Sequence, residues 1–279
     1  MPFTITTLSE NTASTPIGLL GEWGLCILVE SDKESLLLDT GLGIAAVHNG
    51  DLLNIDFNRI EKIILSHGHV DHTGGLKAII SRTGPVDVIA HPDVWSKRFT
   101  HTPGYEERNI GNPFSKEEIK SAGASVSLSR EPIWISEHIM TTGEIPMVTT
   151  YEDVDSNLYI EENGQRINDK VWDDQALVIK TDIGLVVLLG CSHRGVINTL
   201  YHAREISGEE RIHTVIGGTH LLRASEERLD ETISEFKKLK VRRLGVSHCT
   251  GQWSSVKLAS ALGKDIFFFN NTGTKIIIP

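Results

Sequence analysis

The 279-residue sequence has little of several features that mark particular protein classes. Its three cysteines, Cys26, Cys191 and Cys249, are odd in number and far apart, which argues against a disulfide framework and favours a reducing compartment. No apolar run approaches the roughly 20 residues of a membrane-spanning helix. The start, MPFTITTLSE, lacks the basic segment and apolar core of a signal peptide. We therefore predict a cytoplasmic protein without a membrane segment.

Positive charge is also scarce, with 27 Lys and Arg against 37 Asp and Glu and a formal net charge of −10. Nucleic acids and anionic membranes are bound through basic surfaces, so this balance makes both unfavourable partners. The apolar fraction of 39% is that of an ordinary globular protein. We expect a small-molecule substrate, and the sequence leaves a homo-oligomer open.

Short aliphatic runs that end in polar turns alternate with helical patterns along the chain. One helical pattern carries Leu229, Ile233, Phe236 and Leu239 at helical spacing. Repeated strand–loop–helix units predict a layered α/β fold with its active groups at one edge of the sheets. The strand patterns are CILVE, SLLLDTG, RIEKIILSHGH, PVDVIAHPD, QALVIKTDIGLVVLLGCSH, RIHTVIGGTHL and RRLGVSHCTG.

The domain prediction is a single domain over residues 1–279. The region from about 92 to 172 differs from the rest, because it is rich in proline, glycine and charge and has weaker periodicity. We interpret it as an insertion that covers the active-site face.

The segment ILSHGHVDHTGGL follows a strand pattern and precedes a glycine-opened helix, and it contains His67, His69, Asp71 and His72. Neutral imidazoles and carboxylates are ligands for zinc and similar ions. Residues two apart in an extended loop point the same way, so His67 and His69 can bind one ion. Asp71 and His72 can then face a second ion. The alternative is a solvated polar loop or a helix cap.

The segment SHGHVDHTGG after a strand, with DTG upstream at 39–41, resembles the metallo-β-lactamase fold superfamily. The segments GCSHRGVINTL, VIGGTHL and SHCTG are similar to a branch of metal-dependent hydrolases labelled 7,8-dihydropterin-6-yl-methyl-4-(β-D-ribofuranosyl)aminobenzene-5′-phosphate synthase. The resemblance implies an αββα sandwich with a dinuclear metal site at the open edge of two sheets. It implies that His67 and His69 bind one metal, and that the other is bound by Asp71, His72 and His248.

The sequence departs from the superfamily pattern at two places. Where the superfamily usually has a further histidine, before the strand ALVIKT, this chain has Asp173 and Asp174. Where it usually has a bridging aspartate, this chain has Cys191 followed by His193. We predict that His193 binds the first metal. Cys191 is either a thiolate ligand for a soft divalent ion or a buried small apolar residue, and Asp174 is a further candidate near the metals.

Four other residues are candidates for the site. His220 ends a strand pattern, and it is a general acid, a substrate contact, a ligand, or simply a hydrogen-bonded histidine in a turn. Asp39 is expected to accept the free N–H of a metal-binding imidazole. His91 and Trp95 are expected to line the substrate pocket.

These residues predict a metal-dependent hydrolase that binds two divalent ions, with Zn²⁺ expected first and Mn²⁺ or Fe²⁺ as alternatives. Two ions about 3.5 to 4 Å apart lower the pKa of a shared water toward 7, and the hydroxide attacks a small ester, for which we favour a phosphoester. Asp71 is expected to orient the hydroxide and His220 to protonate the leaving group. The alternatives are a pterin/ribosyl-aminobenzene phosphate synthase with the same dinuclear site, and a non-catalytic metal-binding module.

Overall fold

The computed structural model describes residues 2–279. Its strands are β1 (Phe3–Ser9), β2 (Cys26–Glu30), β3 (Ser35–Leu38), β4 (Lys62–Ile64), β5 (Val86–Ala90), β6 (Arg98–Thr100), β7 (Arg108–Asn109), β8 (Ala124–Leu128), β9 (Ile139–Thr141), β10 (Leu158–Glu162), β11 (Gln165–Asn168), β12 (Leu177–Thr181), β13 (Gly184–Leu189), β14 (Ile212–Gly218), β15 (Arg243–Ser247), β16 (Phe267–Phe269) and β17 (Lys275–Ile278). Its α-helices are α1 (Ala45–Leu52), α2 (Val70–Thr73), α3 (Leu76–Thr83), α4 (Lys116–Ser121), α5 (Val196–Ser207), α6 (Glu226–Lys238) and α7 (Gln252–Leu262).

Helix α6 shows how the sequence sets these boundaries. The side chain of Ser225 accepts a hydrogen bond from the backbone N–H of Arg228, which caps the amino end. Acidic residues occupy the first turn and lysines the last, as the helix dipole favours. Leu229, Ile233 and Phe236 are buried, so the predicted apolar face is the one that packs on the sheet.

Two large sheets form the middle of the molecule. One has seven strands in the order β17-β1-β2-β3-β4-β5-β8, and the other has six in the order β16-β15-β14-β13-β12-β9. Strands β3, β4, β5 and β8 run parallel in the first sheet, and β13, β14, β15 and β16 run parallel in the second. Within each set the carboxyl ends therefore lie at the same edge of the sheet. Among residues 2–279, none of the helices combines the length and the apolar character that crossing a bilayer requires.

The layers follow from alternation along the strands, because successive side chains of a strand point to opposite faces. In β13, Val186 and Leu188 pack in an apolar layer shared with residues of the seven-stranded sheet, such as Ile27. Leu185 and Val187 belong to a second apolar layer with residues of α5 and α6. A third layer joins the other face of the seven-stranded sheet to α3. The predicted αββα sandwich is confirmed.

The region 92–172 is more divided than the predicted insertion. Strand β8 pairs with β5 at one edge of the seven-stranded sheet, and β9 pairs with β12 at one edge of the six-stranded sheet. Only β6, β7, β10 and β11 form a separate, four-stranded sheet. Both edge strands are short, and β8 is partly exposed, so the sequence there lacks the continuous aliphatic run of a central strand.

Several residues that follow the carboxyl ends of parallel strands have an unusual backbone. Asp39 after β3, Ser192 after β13, His220 after β14 and His248 after β15 have φ angles of 61°, 58°, 51° and 54°. Residues other than glycine rarely adopt this left-handed conformation, which is found in turns and functional sites. These turns place the following side chains at the shared edge of the two sheets.

Candidate metal centre

Three histidines that end two strands converge in a first donor group. His67 and His69 follow β4, and His193 follows β13 on the facing sheet. One ring nitrogen from each lies within 4.8 Å of those of the others. The His67 Nε2 and His69 Nδ1 atoms are 2.9 Å apart. The structure therefore brings together the three residues predicted to bind the first ion.

A second donor group lies beside the first and consists of Asp71, His72 and His248. Asp71 Oδ2 is 3.2 Å from His248 Nε2 and 4.0 Å from His72 Nε2. The two Nε2 atoms are 3.3 Å apart. The rings of His67 and His72, one from each group, have centroids 4.3 Å apart. The pairing of residues is the one that the resemblance implied.

The chemistry of these donors fits divalent cations. Among the described residues, His69 Nε2 and both ring nitrogens of His193 are buried without a hydrogen-bond partner, which is costly unless a ligand is bound. Burial and neighbouring charge, chiefly that of Arg98, lower the pKa of His69 to about 3, so it is neutral and able to bind a metal. Burial lowers the pKa of His72, but Asp39 and Asp71 outweigh it and raise the pKa to about 9. A cation bound there would take the place of that proton.

Hydrogen bonds fix the imidazole rings from behind. Asp39 Oδ2 accepts from His72 Nδ1 at 2.6 Å, which is the contact predicted for this carboxylate. Ser66 Oγ is 2.9 Å from His67 Nδ1, and Asn11 Oδ1 is 2.9 Å from His248 Nδ1. Such contacts set which ring nitrogen is free to bind a metal. Asn11 lies in a polar segment far from the other residues in sequence, so no pattern indicated it.

Cys191 lies between the two donor groups. Its Sγ atom is 3.1 Å from His72 Nε2 and lies within 4.8 Å of donor atoms of both His67 and His193. Burial raises the pKa of the Cys191 thiol, which favours the protonated form when no metal is bound. Cys249, which sequence reasoning did not select, is close by, because its Sγ donates to the Cys191 carbonyl at 3.4 Å.

His220 stands next to the first donor group. Its ring centroid is 4.1 Å from that of His193, and its Nε2 is 3.1 Å from Asp155 Oδ2. Burial lowers the pKa of His220, but the hydrogen bond with Asp155 outweighs this and raises it to about 10. Cys249 acts in the same direction, and both partners favour the protonated form of His220 when no metal is bound. Asp155 lies in the irregular region 92–172, where no motif pointed to it.

The two aspartates that replace the usual histidine have structural partners instead. Asp173 accepts two hydrogen bonds from Arg98, at 2.6 and 2.7 Å, and one from the Gly68 N–H at 2.7 Å. Asp174 Oδ2 accepts from the Arg194 N–H at 2.8 Å and belongs to none of the donor groups. Asp174 therefore supports the loop that carries His193.

The predicted pocket roles of His91 and Trp95 are wrong. His91 is buried, its Nε2 lies 3.0 Å from Glu144 Oε1, and its Nδ1 accepts from the Asp93 N–H. Trp95 packs on the apolar layer around α3. The chain after β5 forms a short 3-10 helix, Pro92–Trp95. It runs behind the metal loop, which is the segment after β4 that carries His67 and His69. A Cβ on Gly68 would lie 2.3 Å from the Val94 carbonyl oxygen, so this turn supports the loop from below.

A cavity of about 460 Å³ opens above both donor groups. Its floor includes His69, Asp71 and His193. Part of its wall comes from the region 92–172, through residues of β6, β7 and β10 and their loops. Its remaining lining residues include Trp23, Leu42, Ile110, Leu158, Leu222 and three arginines, Arg108, Arg223 and Arg228.

Substitutions at Cys191 and His193 separate the roles of these two residues. We expect His193→Ala to lose the first ion, because it removes one of three donors, and Cys191→Ser to keep a metal content near that of the unchanged protein. Metal counts per chain under reducing conditions measure both. A zinc affinity that falls in Cys191→Ser far more than manganese affinity would instead show a thiolate ligand, since a hydroxyl is a hard donor. Full metal occupancy in His193→Ala would contradict the assignment.

Known proteins resemble this chain over most of its length. The family model described as the metallo-beta-lactamase superfamily matches residues 24–181. The chain is 36% identical over 256 residues to a 7,8-dihydropterin-6-methyl-4-(beta-D-ribofuranosyl)-aminobenzene-5′-phosphate synthase of Methanocaldococcus jannaschii, covering 88% of this chain and 87% of that protein. Relatives in this family are thus named as enzymes.

Solved structures give the same assignment. The structure of Tm1679, described as a metal-dependent hydrolase of the beta-lactamase superfamily, superposes with a TM-score of 0.85 at 27% identity and 98% coverage of both chains. That of Zn²⁺-bound PqqB from Methylobacterium extorquens shares the fold, with a TM-score of 0.60 at 11% identity, covering 98% of this chain and 99% of that one. The chain belongs to the metallo-β-lactamase superfamily.

Proposed function

We propose that this protein is a metal-dependent hydrolase that acts on a small phosphoester and binds two divalent ions, Zn²⁺ first among them. The observation that carries the proposal is the pair of donor groups, His67, His69 and His193 beside Asp71, His72 and His248, at the floor of one cavity. The description of Tm1679 as a metal-dependent hydrolase supports it.

Bound divalent ions would supply positive charge that activates water and stabilises developing negative charge on oxygen. The chain's own residues provide the rest. Asp71 Oδ2 accepts from Trp23 Nε1 at 3.1 Å, which fixes the carboxylate where it can orient a water by hydrogen bonding. His220, kept protonated by Asp155, faces the same cavity and can donate its proton to a leaving oxygen.

A second candidate is a synthase that joins two substrates at the same donor groups. The 36% identity to a named synthase over 88% of this chain favours it. In that reaction Asp71 would position one substrate, and His220 would protonate the group that leaves when the two substrates join. The two functions differ in their requirement, because a synthase turns over only when both substrates are present.

The test of the proposal is metal analysis of the purified protein together with a panel of phosphomonoesters, phosphodiesters, thioesters and lactones. We expect turnover of phosphoesters by a single added substrate, lost on chelation and restored by Zn²⁺. Turnover of thioesters or lactones alone would exclude the phosphoester class. Turnover of no panel member, with activity only on a mixture of a pterin and a ribosyl-aminobenzene phosphate, would support the synthase.

Asp71→Asn tests the role of the carboxylate. We expect it to keep part of the metal, because His72 and His248 remain, and to lose about 100- to 10,000-fold in turnover, the usual contribution of a positioned proton-transfer group. Asp51→Asn, on the exposed surface, is the matched control and should change neither quantity. Steady-state kinetics with metal content measured on the same sample decides it. Unchanged turnover in Asp71→Asn would rule out this mechanism.

A further inference from the structure

We propose that Arg108, Arg223 and Arg228 form a subsite for a phosphate group that the substrate carries in addition to the ester that reacts. All three line the cavity above the donor groups. The inference rests on the proposed function only for placing the reacting ester at those donors. The subsite itself is a binding property that can be tested without turnover.

The cavity wall carries several positive charges. In a chain with a net charge of −10, three arginines around one cavity are a local reversal. Within residues 2–279, none of the three has a carboxylate oxygen within 4.0 Å of its side-chain nitrogens, whereas Arg82, Arg130 and Arg211 on the surface do. These three side chains are therefore free to meet an anion.

The guanidinium group of Arg228 has unused hydrogen-bond donors. Its Nη1 donates to the Asp153 carbonyl at 3.2 Å, and its Nε and Nη2 are buried with no hydrogen-bond partner in the described part of the chain. Guanidinium donors out of contact with water are unfavourable unless an acceptor satisfies them. A phosphate is the acceptor that suits a guanidinium best, since its oxygens match the planar fork of donors.

Arg228 lies at some distance from the donor groups, on the far side of His220. The His193 ring packs against that of His220, and His220 is hydrogen-bonded to Asp155. Arg228 donates to the carbonyl of Asp153, two residues before Asp155. Arg228 thus lies beyond His220 rather than at the donors. The acidic lining residues described are Asp71 and Asp155, and the second is paired with His220. The charge of Arg228 also acts on the Glu152 and Asp155 carboxyl groups, so a phosphate there needs the added charge of Arg108 and Arg223.

The rest of the cavity lining indicates the shape of a ligand that would contact both the donor groups and the arginines. Leu158, Ile110 and Leu222 line the same cavity, and Thr100, Thr102 and Asn157 add hydroxyl and amide groups. A molecule with an apolar or ring-shaped middle, a reactive ester at one end and a phosphate at the other would contact all of these groups. The proposal commits to a phosphate rather than a carboxylate because three guanidinium groups favour a dianion.

Binding of phenylphosphonate tests the subsite, because this probe has a ring and a phosphonate that hydrolysis does not remove. We expect calorimetry on the purified holoprotein to show binding that Arg228→Gln or Arg223→Gln weakens about tenfold, as the loss of a charge-assisted hydrogen bond does. Arg242→Gln, an exposed arginine that does not line the cavity, should leave the affinity unchanged. Arg223 is exposed, so its variant stays informative if Arg228→Gln does not fold.

Two further arms separate the alternatives. Repeating the titration on the full chain after chelation should retain the arginine-dependent part of the affinity. If chelation removes all binding and the arginine variants match the unchanged protein, the metals hold the phosphonate and the proposal is wrong. Benzoate should bind more weakly than phenylphosphonate, and equal affinities would overturn the commitment to phosphate. Failure of the hydrolysis panel would leave all of these results unaffected.

Discussion

His69→Ala is expected to strip the first ion and abolish turnover while leaving the fold intact. His69 supplies one of three nitrogens in its donor group, and its Nε2 has no other partner in the described structure. The loss of metal affinity should exceed the 10- to 100-fold or so that removal of an outer hydrogen-bond partner costs. The apolar layers of the sandwich do not include the metal loop, so the metal-free variant should unfold at the temperature of the metal-free parent.

The measurement is metal content by elemental analysis, turnover, and thermal unfolding followed by circular dichroism. His213→Ala is the matched control, because this histidine lies near the amino end of β14, at the opposite end of the strand from the donors. It should keep full metal and full turnover. A normal metal content in His69→Ala would show that the first donor group is assigned wrongly.

Arg98→Ala is expected to destabilise the protein by about 3–5 kcal/mol, the cost of leaving buried charges without their partner. The Arg98 side chain is 1% exposed and pairs with Asp169 and Asp173, which are also buried. Asp173 in turn accepts from the Gly68 N–H, in the middle of the metal loop. The same substitution should therefore weaken metal binding without removing any donor.

Urea unfolding of the metal-free protein measures the free energy, and a zinc titration with a competing chelator measures the affinity. Arg130→Ala provides the comparison, because Arg130 makes two ion pairs on the surface and should contribute less than about 1 kcal/mol. A destabilisation by Arg98→Ala no larger than that of Arg130→Ala would mean that the buried cluster does not stabilise the fold.

The sequence indicated most of the edge that carries the donors, for a physical reason. His67, His193 and His248 each follow a buried aliphatic run, and such runs predict strands whose ends are close in a parallel sheet. The tight spacing of His67, His69 and His72 added the metal chemistry. The binding roles of these residues stay predictions until metal is measured.

What the sequence could not indicate depends on contacts between distant segments. Asp155 reaches His220 across 65 positions, and Arg98 reaches Asp173 across 75. Neither contact leaves a periodic pattern, since each joins an irregular segment to a strand end. His91 shows the opposite case, in which the sequence pattern pointed to a site residue that the fold uses elsewhere. A histidine at the end of a strand resembles a site residue even when its partner is a structural glutamate.

The left-handed backbone at Asp39, Ser192, His220 and His248 bears on how this protein would respond to selection. Each such residue costs about 1 kcal/mol relative to glycine, which adopts the conformation freely. Glycine would remove this strain, but at Asp39 it would also remove the buried carboxylate that accepts from Ser66 and His72, so the net stability there would fall. Three of the four carry a side chain that contacts another group of the site, so relieving the backbone strain there would disturb the donor groups. Heat resistance and metal binding must therefore be assayed together in variants of these four positions.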